Sequence, residues 1–321
     1  MPQLIDLDAT DVLTDVLSRL KLRGRVFCCS ELTAPWSMSL DKSDFAHFHV
    51  IEEGEAWLML GRSSVRLGTG DLIVVPHGKG HVLSDSRNTP PASLKRLMRG
   101  RTSNGCHLMR HGGGGARTLM TCGSFRFESS FENPLLAVLP EVIHIRGNQD
   151  GVREWLEPTL SMLTWEARNP RSGSQTMIDR LTDIIFVQAV RLWVDSQPAA
   201  QAGWLGALRD RQIGTALQLI HREPARDWSV SSLAVNVAMS RSPFAARFTQ
   251  LVGEPPLSYI TRWRMHLAAN LLTDDDLTLS EIAERVGYDS EAAFSKAFKR
   301  RFGLAPGAYR RANSSQGRVA A

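Results

Sequence analysis

Two short stretches of the sequence place side chains that bind metals at regular spacing. The stretch HFHVIEE holds His47 and His49 two residues apart and Glu53 four residues later, in an H-x-H-x3-E pattern. The stretch GDLIVVPHGKGH has the pattern G-x5-P-x-G-x2-H and ends in His81. Imidazole and carboxylate groups are ligands that first-row divalent metals accept. These four residues therefore form a candidate site for a divalent metal.

The cysteines offer a second kind of chemistry. They are Cys28, Cys29, Cys106 and Cys122, and no two of them form a C-x2-C pair, which argues against a zinc ribbon. In a reducing compartment they are free thiols. An accessible thiol beside positive charge can sense oxidants, whereas a thiol in apolar surroundings is an inert packing group. Both interpretations stay open at this point.

The segment that carries the histidines has the pattern of β-strands. Residues 24–146 contain short runs rich in Val, Ile, Leu, Phe and Trp, broken by Gly, Pro, Asn and Asp. Alternation along a strand puts His47 and His49 on one face, from which they can meet His81. The same histidines also fit a structural role, in which each bonds a buried backbone group. The glycine-rich insert at 99–118 predicts a mobile hairpin loop.

After about residue 150 the apolar period changes from that of strands to that of helices. The stretches DGVREWLEPTLSMLTWEA and TMIDRLTDIIFVQAVRLWV have apolar residues at helical spacing. The second is apolar over most of its surface, so we expect it to be buried against the strands or against a second chain. The uncharged stretch SQPAAQAG (196–203) then predicts a linker.

The last third of the chain repeats one helical pattern. The segments WSVSSLAVNVAMSRSPFAARFTQLVG (228–253) and LTLSEIAERVGYDSEAAFSKAFKRRFG (277–303) each begin at a Ser or Thr cap, at Ser229 and Thr278. Each continues with a short helix, a sharp turn and an amphipathic second helix. Gly287 supplies the positive φ that the second turn needs. This order of elements is that of a helix-turn-helix unit, and a long apolar-faced helix over 254–272 separates the two units.

Charge supports a polyanionic partner for this part of the chain. Residues 1–204 carry 22 Lys and Arg against 22 Asp and Glu, whereas residues 205–321 carry 16 against 11. The whole net charge of +5 therefore lies in the last third. A rigid spacer between two recognition helices lets them enter successive major grooves, about 34 Å apart.

The two units and the helix between them strongly resemble the AraC/XylS family of transcription regulators. The resemblance covers about residues 205–312 and rests on the spacing, the P..Y...WRM..A..LL pattern and the closing IAERVGYDSEAAFSKAFKRRFGLAPGAYR. It implies that the outer faces of both recognition helices contact double-stranded DNA. The implied contact residues are Arg241, Ser242, Ala245, Ala246, Arg247, Thr249, Ser290, Glu291, Ala292, Ser295, Lys296, Lys299 and Arg300, with Arg301 as a further phosphate contact. Ala246 departs from the arginine common in the family, which puts base reading by the first unit in doubt.

The two histidine stretches look like the two cupin motifs, which implies a small β-barrel. In this combination the barrel usually senses a signal without catalysis. The metal site at His47, His49, Glu53 and His81, and a small organic effector inside the barrel, are two signals that the resemblance leaves open. A metal-dependent cupin enzyme, such as a dioxygenase, is the alternative function, but it does not explain the basic helical third.

A closer resemblance concerns the thiols. The order of a cysteine, FHVIEEG, GDLIVVPHGKGH and TCGSFRF is similar to the AraC-family regulator that senses reactive chlorine species. This implies a redox response carried by Cys122 with either Cys28 or Cys29, and the doublet leaves the partner undecided. Arg23 and Arg25 are nearby in sequence and would lower a thiol pKa if they lie close.

Together these observations predict an α+β multidomain regulator that is not an enzyme. Its predicted parts are a cupin-like antiparallel β-barrel sensor (1–146), a helical dimerisation segment and linker (147–204), an all-α DNA-binding domain with two helix-turn-helix units (205–312) and a disordered tail (313–321). The expected partners are double-stranded DNA, RNA polymerase, a second copy of the chain and a small-molecule effector. No stretch approaches the roughly 20 apolar residues of a membrane span, and no signal peptide is evident, so we expect a cytoplasmic transcription activator.

Overall fold

A computed structural model describes residues 12–18, 22–99, 107–127, 134–148, 151–197, 203–274 and 277–314. The chain forms two compact units. The sheet unit comprises Leu20–Glu128 and Leu139–Ser196, and the helical unit comprises Met1–Arg19, Ser129–Val138 and Gln197–Ala321. In the parts of the chain that the structure describes, no helix is long and apolar enough to cross a membrane.

Two sheets make up most of the sheet unit. The strands are β1 (Leu22–Thr33), β2 (Ser37–Leu40), β3 (Ala46–Glu53), β4 (Ala56–Leu60), β5 (Ser63–Leu67), β6 (Leu72–Val75), β7 (His81–Ser84), β8 (Ala92–Ser93), β9 (His107–Gly112), β10 (Arg117–Phe127) and β11 (Ile143–Ile145). One sheet has the order β11-β6-β3-β10-β1-β9 and the other β5-β4-β7-β2-β8.

The predicted strand-rich cupin-like domain is confirmed, but its sheets are mixed and do not form a closed antiparallel barrel. Strand β9 pairs parallel with β1, and β8 pairs parallel with β2, so both sheets are mixed and open. The alternating pattern identifies which side chains are buried, but it does not specify which edges pair. Strand β9 lies within the insert at 99–118 that composition predicts to be a mobile loop, and β10 begins there too; residues 100–106 are outside the described parts.

Apolar side chains from both sheets fill the space between them. Leu32 and Ile51 of the six-stranded sheet meet Met38, Leu58 and Leu83 of the five-stranded sheet, and all five are almost fully buried. Burial of this apolar area is the main stabilising contribution to the unit.

The helices of the chain are shared between the units. They are α1 (Val12–Ser18), α2 (Leu94–Leu97), α3 (Pro134–Val138), α4 (Val152–Arg168), α5 (Ser174–Ser196), α6 (Gly203–Ala207), α7 (Arg211–Arg222), α8 (Val230–Asn236), α9 (Arg241–Val252), α10 (Pro256–Asp274), α11 (Leu279–Arg285), α12 (Glu291–Phe302) and α13 (Pro306–Ser314). Helices α2, α4 and α5 belong to the sheet unit and the others to the helical unit.

Helix α5 packs on the outer face of the six-stranded sheet of its own chain. The amide of Gln175 donates to the carbonyl of Gly24 over 3.1 Å, and the rings of Phe186 and Phe125 lie 5.3 Å apart. A Cβ at Gly24 would lie 1.6 Å from Oγ1 of Thr182, so only glycine lets the helix come this close. Much of the apolar surface of α5 is thus buried within one chain.

In the helical unit, capping residues set the ends of the short helices. The side chains of Ser229 and Thr278 accept from the backbone N–H of Ser232 and Glu281 and form capping boxes at α8 and α11. Helix α10 has 19 residues and is therefore about 28 Å long. Of the predicted disordered tail, residues 313 and 314 lie in α13, and residues 315–321 are outside the described parts.

Candidate functional site

Both predicted helix-turn-helix units are present with equivalent turns. Helices α8 and α9 are joined through Ala238, and α11 and α12 through Gly287. Both residues have positive φ, 53° at Ala238 and 78° at Gly287. Ala238 is the one non-glycine residue in the described parts with positive φ, so the first turn holds a strained conformation that glycine relieves in the second.

The recognition helices bury one face and expose the other. In α9 Phe244 and Phe248 are fully buried, as are Phe294 and Phe298 in α12. Among the predicted DNA contacts, Ala245 and Ser295 are half-buried, and the rest are exposed: Arg241, Ser242, Ala246, Arg247, Thr249, Ser290, Glu291, Ala292, Lys296, Lys299 and Arg300. The structure thus brings the predicted side chains onto the solvent faces of two helices.

Three of these side chains already have roles within the fold. The Ser290 hydroxyl caps α12 by accepting from the N–H of Ala293, and the Thr249 hydroxyl donates to the carbonyl of Ala245 over 2.8 Å. The guanidinium of Arg247 donates to Asp210 through Nε over 2.9 Å and through a second nitrogen over 2.5 Å. Arg247 is therefore held in place by an ion pair, which leaves it less free to move towards a phosphate.

Asp210 links the first recognition helix to α7. Its carboxylate accepts from the N–H groups of Gln212 and Ile213 at the start of α7 and also binds Arg247. Partial burial opposes its ionisation, but the hydrogen bonds from Ile213 and Arg247 outweigh that effect and lower the pKa of Asp210. The carboxylate stays charged at neutral pH and stabilises the helix N-terminus.

Arg264 on α10 is a structural residue of the helical unit that the sequence alone did not reveal. Its guanidinium donates to three backbone carbonyls, those of Pro224 at 2.8 Å, Gly287 at 3.0 Å and Arg226 at 2.8 Å. It thereby ties α10 to the segment after α7 and to the turn of the second unit. The available signal was an arginine directly after Trp263 in an apolar stretch of α10, because a half-buried guanidinium must find acceptors.

In the sheet unit three predicted residues form a row across adjacent strands. Cys28 of β1 lies opposite Cys122 of β10, and Cys122 lies opposite His49 of β3. His49 then meets His81, which β7 contributes from the other sheet, with their Nε2 atoms 2.8 Å apart. All four are buried.

Cys29 lies opposite Thr121 instead and is disulfide-bonded, whereas Cys28 and Cys122 are free thiols. Cys106 lies outside the described residues.

The hydrogen bonds in this row determine which nitrogen carries each proton. Nδ1 of His81 lies 2.8 Å from the carbonyl of Lys79, and a carbonyl only accepts, so this nitrogen carries a proton. Nε2 of the neutral His81 ring is then unprotonated, so it accepts a hydrogen bond from the N–H at Nε2 of His49. Nδ1 of His49 is left as an acceptor, 3.0 Å from Sγ of Cys122, so the Cys122 thiol donates to it.

Burial favours the neutral forms of His49, His81 and Cys122 in this row, and of the neighbouring His47. Desolvation, together with repulsion by neighbouring imidazoles, lowers the pKa of His49 well below its ordinary value and that of His47 to about 4. Desolvation also lowers the pKa of His81, although the bond to the Lys79 carbonyl opposes it. Burial, with Cys28 and Glu52 nearby, raises the pKa of Cys122 well above its ordinary value.

The predicted metal ligands are only partly brought together. The rings of His47 and His49 lie 5.6 Å and 5.0 Å from that of His81, but Glu53 is exposed and forms an ion pair with Arg117 at 3.1 Å. Nε2 of His47 lies 2.9 Å from the hydroxyl of Ser43. The described residues contain no group of three or more His, Cys, Asp and Glu side chains that could hold a metal ion.

Comparisons with known proteins agree with this arrangement. A cupin family model matches residues 11–195, and a helix-turn-helix domain model matches residues 233–312. A putative AraC-like transcription regulator of Streptomyces lividans is 33% identical over 94% of this chain and 98% of its own length. The regulator AlkR of Acinetobacter baylyi is 31% identical over 94% of this chain and 99% of its own.

Two further matches are a full-length regulator and a solved DNA-binding domain. The RCS-specific HTH-type transcriptional activator RclR of Escherichia coli is 28% identical over 92% of this chain and 97% of its own. The DNA-binding domain of AdpA, solved in complex with a target DNA, is 31% identical over 33% of this chain and 96% of that chain, with a TM-score of 0.32. The alternative of a metal-dependent cupin enzyme is set aside because the full-length relatives are named as regulators. The chain belongs to the AraC-like transcription regulators and joins an N-terminal cupin domain to a C-terminal helix-turn-helix DNA-binding domain.

Proposed function

We propose that the chain activates transcription by binding double-stranded DNA through α9 and α12 and contacting RNA polymerase. The observation that carries the DNA part of this proposal is the pair of helix-turn-helix units whose second helices expose polar and basic faces. Recruitment of RNA polymerase is the ordinary way in which such a regulator activates. Because its partner is DNA, we place the protein in the cytoplasm.

Within this interface the two helices have different chemistry. Helix α12 presents Lys296, Lys299 and Arg300, which are exposed and can reach bases or phosphates. Helix α9 presents Ala246 and the tethered Arg247, so it suits apolar contact with thymine methyl groups better than bidentate readout of guanine. We therefore assign most of the hydrogen-bonded base readout to the second unit.

A titration of salt tests the DNA interface. The full chain is mixed with a labelled duplex from its own upstream region, and the affinity is measured between 50 and 200 mM salt. Neutralising several phosphates at once makes the logarithm of affinity fall linearly with the logarithm of salt, by about 0.9 for each phosphate. Affinity that does not change with salt would contradict a phosphate-binding face on α12.

For the signal, the pairing of β1 with β10 favours oxidant sensing by Cys28 and Cys122, although both thiols are buried in apolar surroundings. Directly opposed residues of antiparallel strands have Cα atoms about 4.5–5.5 Å apart, and a disulfide needs roughly 4.4–6.8 Å. These two residues are opposed on β1 and β10, so a bond between them needs little backbone movement. The name of the Escherichia coli relative, an RCS-specific activator, supports the same class of signal.

Joining the two thiols in a disulfide needs a two-electron oxidant, and we propose hypochlorous acid. The Cys122 thiol loses its proton, attacks the chlorine of hypochlorous acid and becomes a sulfenyl chloride, while the oxidant leaves as water after taking up the proton. The Cys28 thiol then attacks the sulfur of Cys122, chloride leaves, and one proton is released with formation of the disulfide. His49 can accept the first proton, because its Nδ1 already accepts a hydrogen bond from the thiol.

We also propose a homodimer, formed through the helices of the sheet unit. Most of the apolar surface of α5 is covered by its own sheet, yet Met177 and Ile184 remain about 40–46% exposed. On α4 Met162 and Trp165 are about half exposed. Sedimentation of the full chain at micromolar concentration should show a dimer, and Ile184→Glu should shift it to a monomer. A parent protein that sediments as a monomer would contradict the proposal.

A further inference from the structure

An ion pair joins the first recognition helix, α9, to the start of α7. Nε and a second nitrogen of Arg247 both donate to Oδ2 of Asp210, over 2.9 and 2.5 Å. The side chain of Asp210 is 12% exposed, whereas that of Arg247 is 51% exposed. We propose that Asp210 is a positioning residue that withholds Arg247 from the phosphates of DNA. It thereby limits the affinity of the chain for duplexes of any sequence.

Asp210 is held in place by bonds that do not involve Arg247. Its other oxygen, Oδ1, accepts from the backbone N–H groups of Gln212 and Ile213 at 3.1 and 3.0 Å, as the N-cap of α7. The amide of Gln212 also donates to the carbonyl of Val237 over 3.0 Å, in the turn between α8 and α9. The carboxylate is therefore fixed beside α9 by its own helix, and the half-exposed arginine is the member of the pair that can move away.

Arg247 lies on the flank of α9 and not at the centre of its outer face. Phe244 and Phe248 are fully buried, and Ala246 is exposed on the opposite side of the helix. Successive helical residues are turned by about 100°, so Arg247 projects sideways. A helix with its side chains is about 10–12 Å wide and the major groove about 12 Å, so the flanks of an inserted helix face the phosphates. The role of Asp210 thus rests on the proposed binding of DNA by α9.

The ion pair removes half of the positive charge that α9 carries. Helix α9 has two basic residues, Arg241 and Arg247, and no acidic one, whereas α12 has four basic residues and one acidic residue. Pairing with Asp210 therefore reduces the formal charge at α9 from +2 to +1, against +3 at α12. A phosphate that approaches Arg247 also meets the carboxylate, and the repulsion from one offsets the attraction of the other. Contacts to phosphates supply the sequence-independent part of DNA affinity, so this part is reduced at the first unit.

The substitution Asp210→Asn breaks the ion pair and keeps the helix cap. Asparagine is as good an N-cap as aspartate, and its Oδ1 retains the bonds from Gln212 and Ile213. Its Nδ2 takes the place of Oδ2, and an amide nitrogen only donates, so it cannot accept from Arg247. The variant therefore releases the guanidinium without removing the residue that begins α7.

Binding to a duplex of random sequence tests the proposal. The affinities of the full-length parent and of Asp210→Asn for a labelled random duplex are measured by fluorescence anisotropy between about 50 and 200 mM salt. We expect the variant to bind roughly three- to tenfold more tightly at about 100 mM salt. The logarithmic salt dependence should also steepen by about 0.9, the value for one further phosphate. A purely structural role of the ion pair would not steepen it.

Two further variants establish whether Arg247 is the group released. Arg247→Ala in the Asp210→Asn background should return the affinity to within about twofold of the parent and the salt dependence to the parent value. Glu223→Gln makes the same change of charge at the other end of α7, where Glu223 pairs with Arg222 and Arg226, and it should alter neither quantity. A gain that survives the loss of Arg247, or an equal gain in Glu223→Gln, would show that net charge alone is responsible and would overturn the proposal.

The behaviour of the parent separates the possible failures, and a thermal melt establishes that each variant is folded. If the parent binds DNA with a clear salt dependence and Asp210→Asn binds like the parent, the role of Asp210 is refuted and the DNA interface stands. If Asp210→Asn binds more weakly than the parent, Asp210 orients Arg247 for a contact instead of withholding it, and the proposal falls in the same way. If the folded parent binds no duplex DNA, both the proposed function and the role of Asp210 fall.

Discussion

The Sγ of Cys122 lies 3.0 Å from Nδ1 of His49. The direction of the hydrogen bond between them is determined by Lys79, whose carbonyl contacts neither atom. The Lys79 carbonyl can only accept, so Nδ1 of His81 carries the proton of that hydrogen bond. Nε2 of the neutral His81 ring is then an acceptor, and Nε2 of His49 is the donor to it. The Cys122 thiol is therefore the donor of this hydrogen bond, and the His49 imidazole is the acceptor.

Replacing Cys122 by serine should abolish the response to hypochlorite. The disulfide with Cys28 cannot form without the second sulfur, although serine keeps the hydrogen bond to His49. The measurement is promoter output with and without hypochlorite, together with a count of free thiols in the purified protein. Cys28→Ser should give the same loss. A Cys122→Ser protein that responds like the parent would refute the thiol proposal.

The paired variant His49→Ala with His81→Ala distinguishes a proton acceptor from a structural role. Loss of the acceptor should slow oxidation of Cys122 by about 10²-fold, the lower end of what a positioned base contributes. The rate of thiol loss at fixed hypochlorite measures this, and a melting curve establishes folding. If the folded variant is oxidised at the parent rate, these histidines only support the sheets.

Acid should destabilise the sheet unit through His47. Its pKa is about 4 in the folded protein, below the ordinary value of 6.5. Between these two pH values the imidazole is protonated in the unfolded chain and neutral in the folded one. The stabilising contribution is complete above pH 6.5 and is lost as the pH falls towards 4, by an amount on the order of 3 kcal/mol. Urea unfolding at several pH values measures it, and His47→Gln should reduce the slope without removing it, because the pKa values of His49 and His81 are lowered as well. His111→Gln, a change outside the buried row, should leave the slope as it is in the parent.

Lys296→Ala should weaken binding to the specific DNA site by about 1–3 kcal/mol if the side chain reads a base. Lys296 is exposed on α12 and shares the outer face with Ser295 and Lys299. Gel-shift titration on the specific duplex and on a random duplex measures both affinities. Equal losses on the two duplexes would make Lys296 a phosphate contact. Lys42→Ala, an exposed lysine of the sheet unit, is the control and should change neither affinity.

Arg264→Ala should destabilise the helical unit by about 2–4 kcal/mol. The change leaves the carbonyls of Pro224, Arg226 and Gly287 without their donor, and each such loss in a half-buried place costs about 1 kcal/mol or more. Thermal or urea unfolding measures the change. Arg285→Ala, at an exposed arginine in the last turn of α11, should alter stability by less than about 0.5 kcal/mol. Similar losses in both variants would indicate that Arg264 acts only through charge.

The features that depend on neighbouring residues along the chain could be predicted from the sequence. The caps at Ser229 and Thr278, the turn glycine Gly287 and the apolar faces of the recognition helices were all readable, because helices are specified by residues within a few positions of each other. The alternation in β3 likewise put His47 and His49 on one buried face. Family membership followed from these local patterns.

The features that depend on strand register and packing could not be predicted from the sequence and were seen in the tertiary structure. The bulge between Val26 and Cys28 sets Cys28, and not Cys29, opposite Cys122, because a shift by one residue turns every side chain to the other face. Glu53 pairs with Arg117 at the surface instead of joining the histidines, and Arg264 finds three carbonyls from distant segments. The parallel strand β9 is of the same kind, because its pairing with β1 depends on contacts between residues far apart in the chain, which no local period encodes.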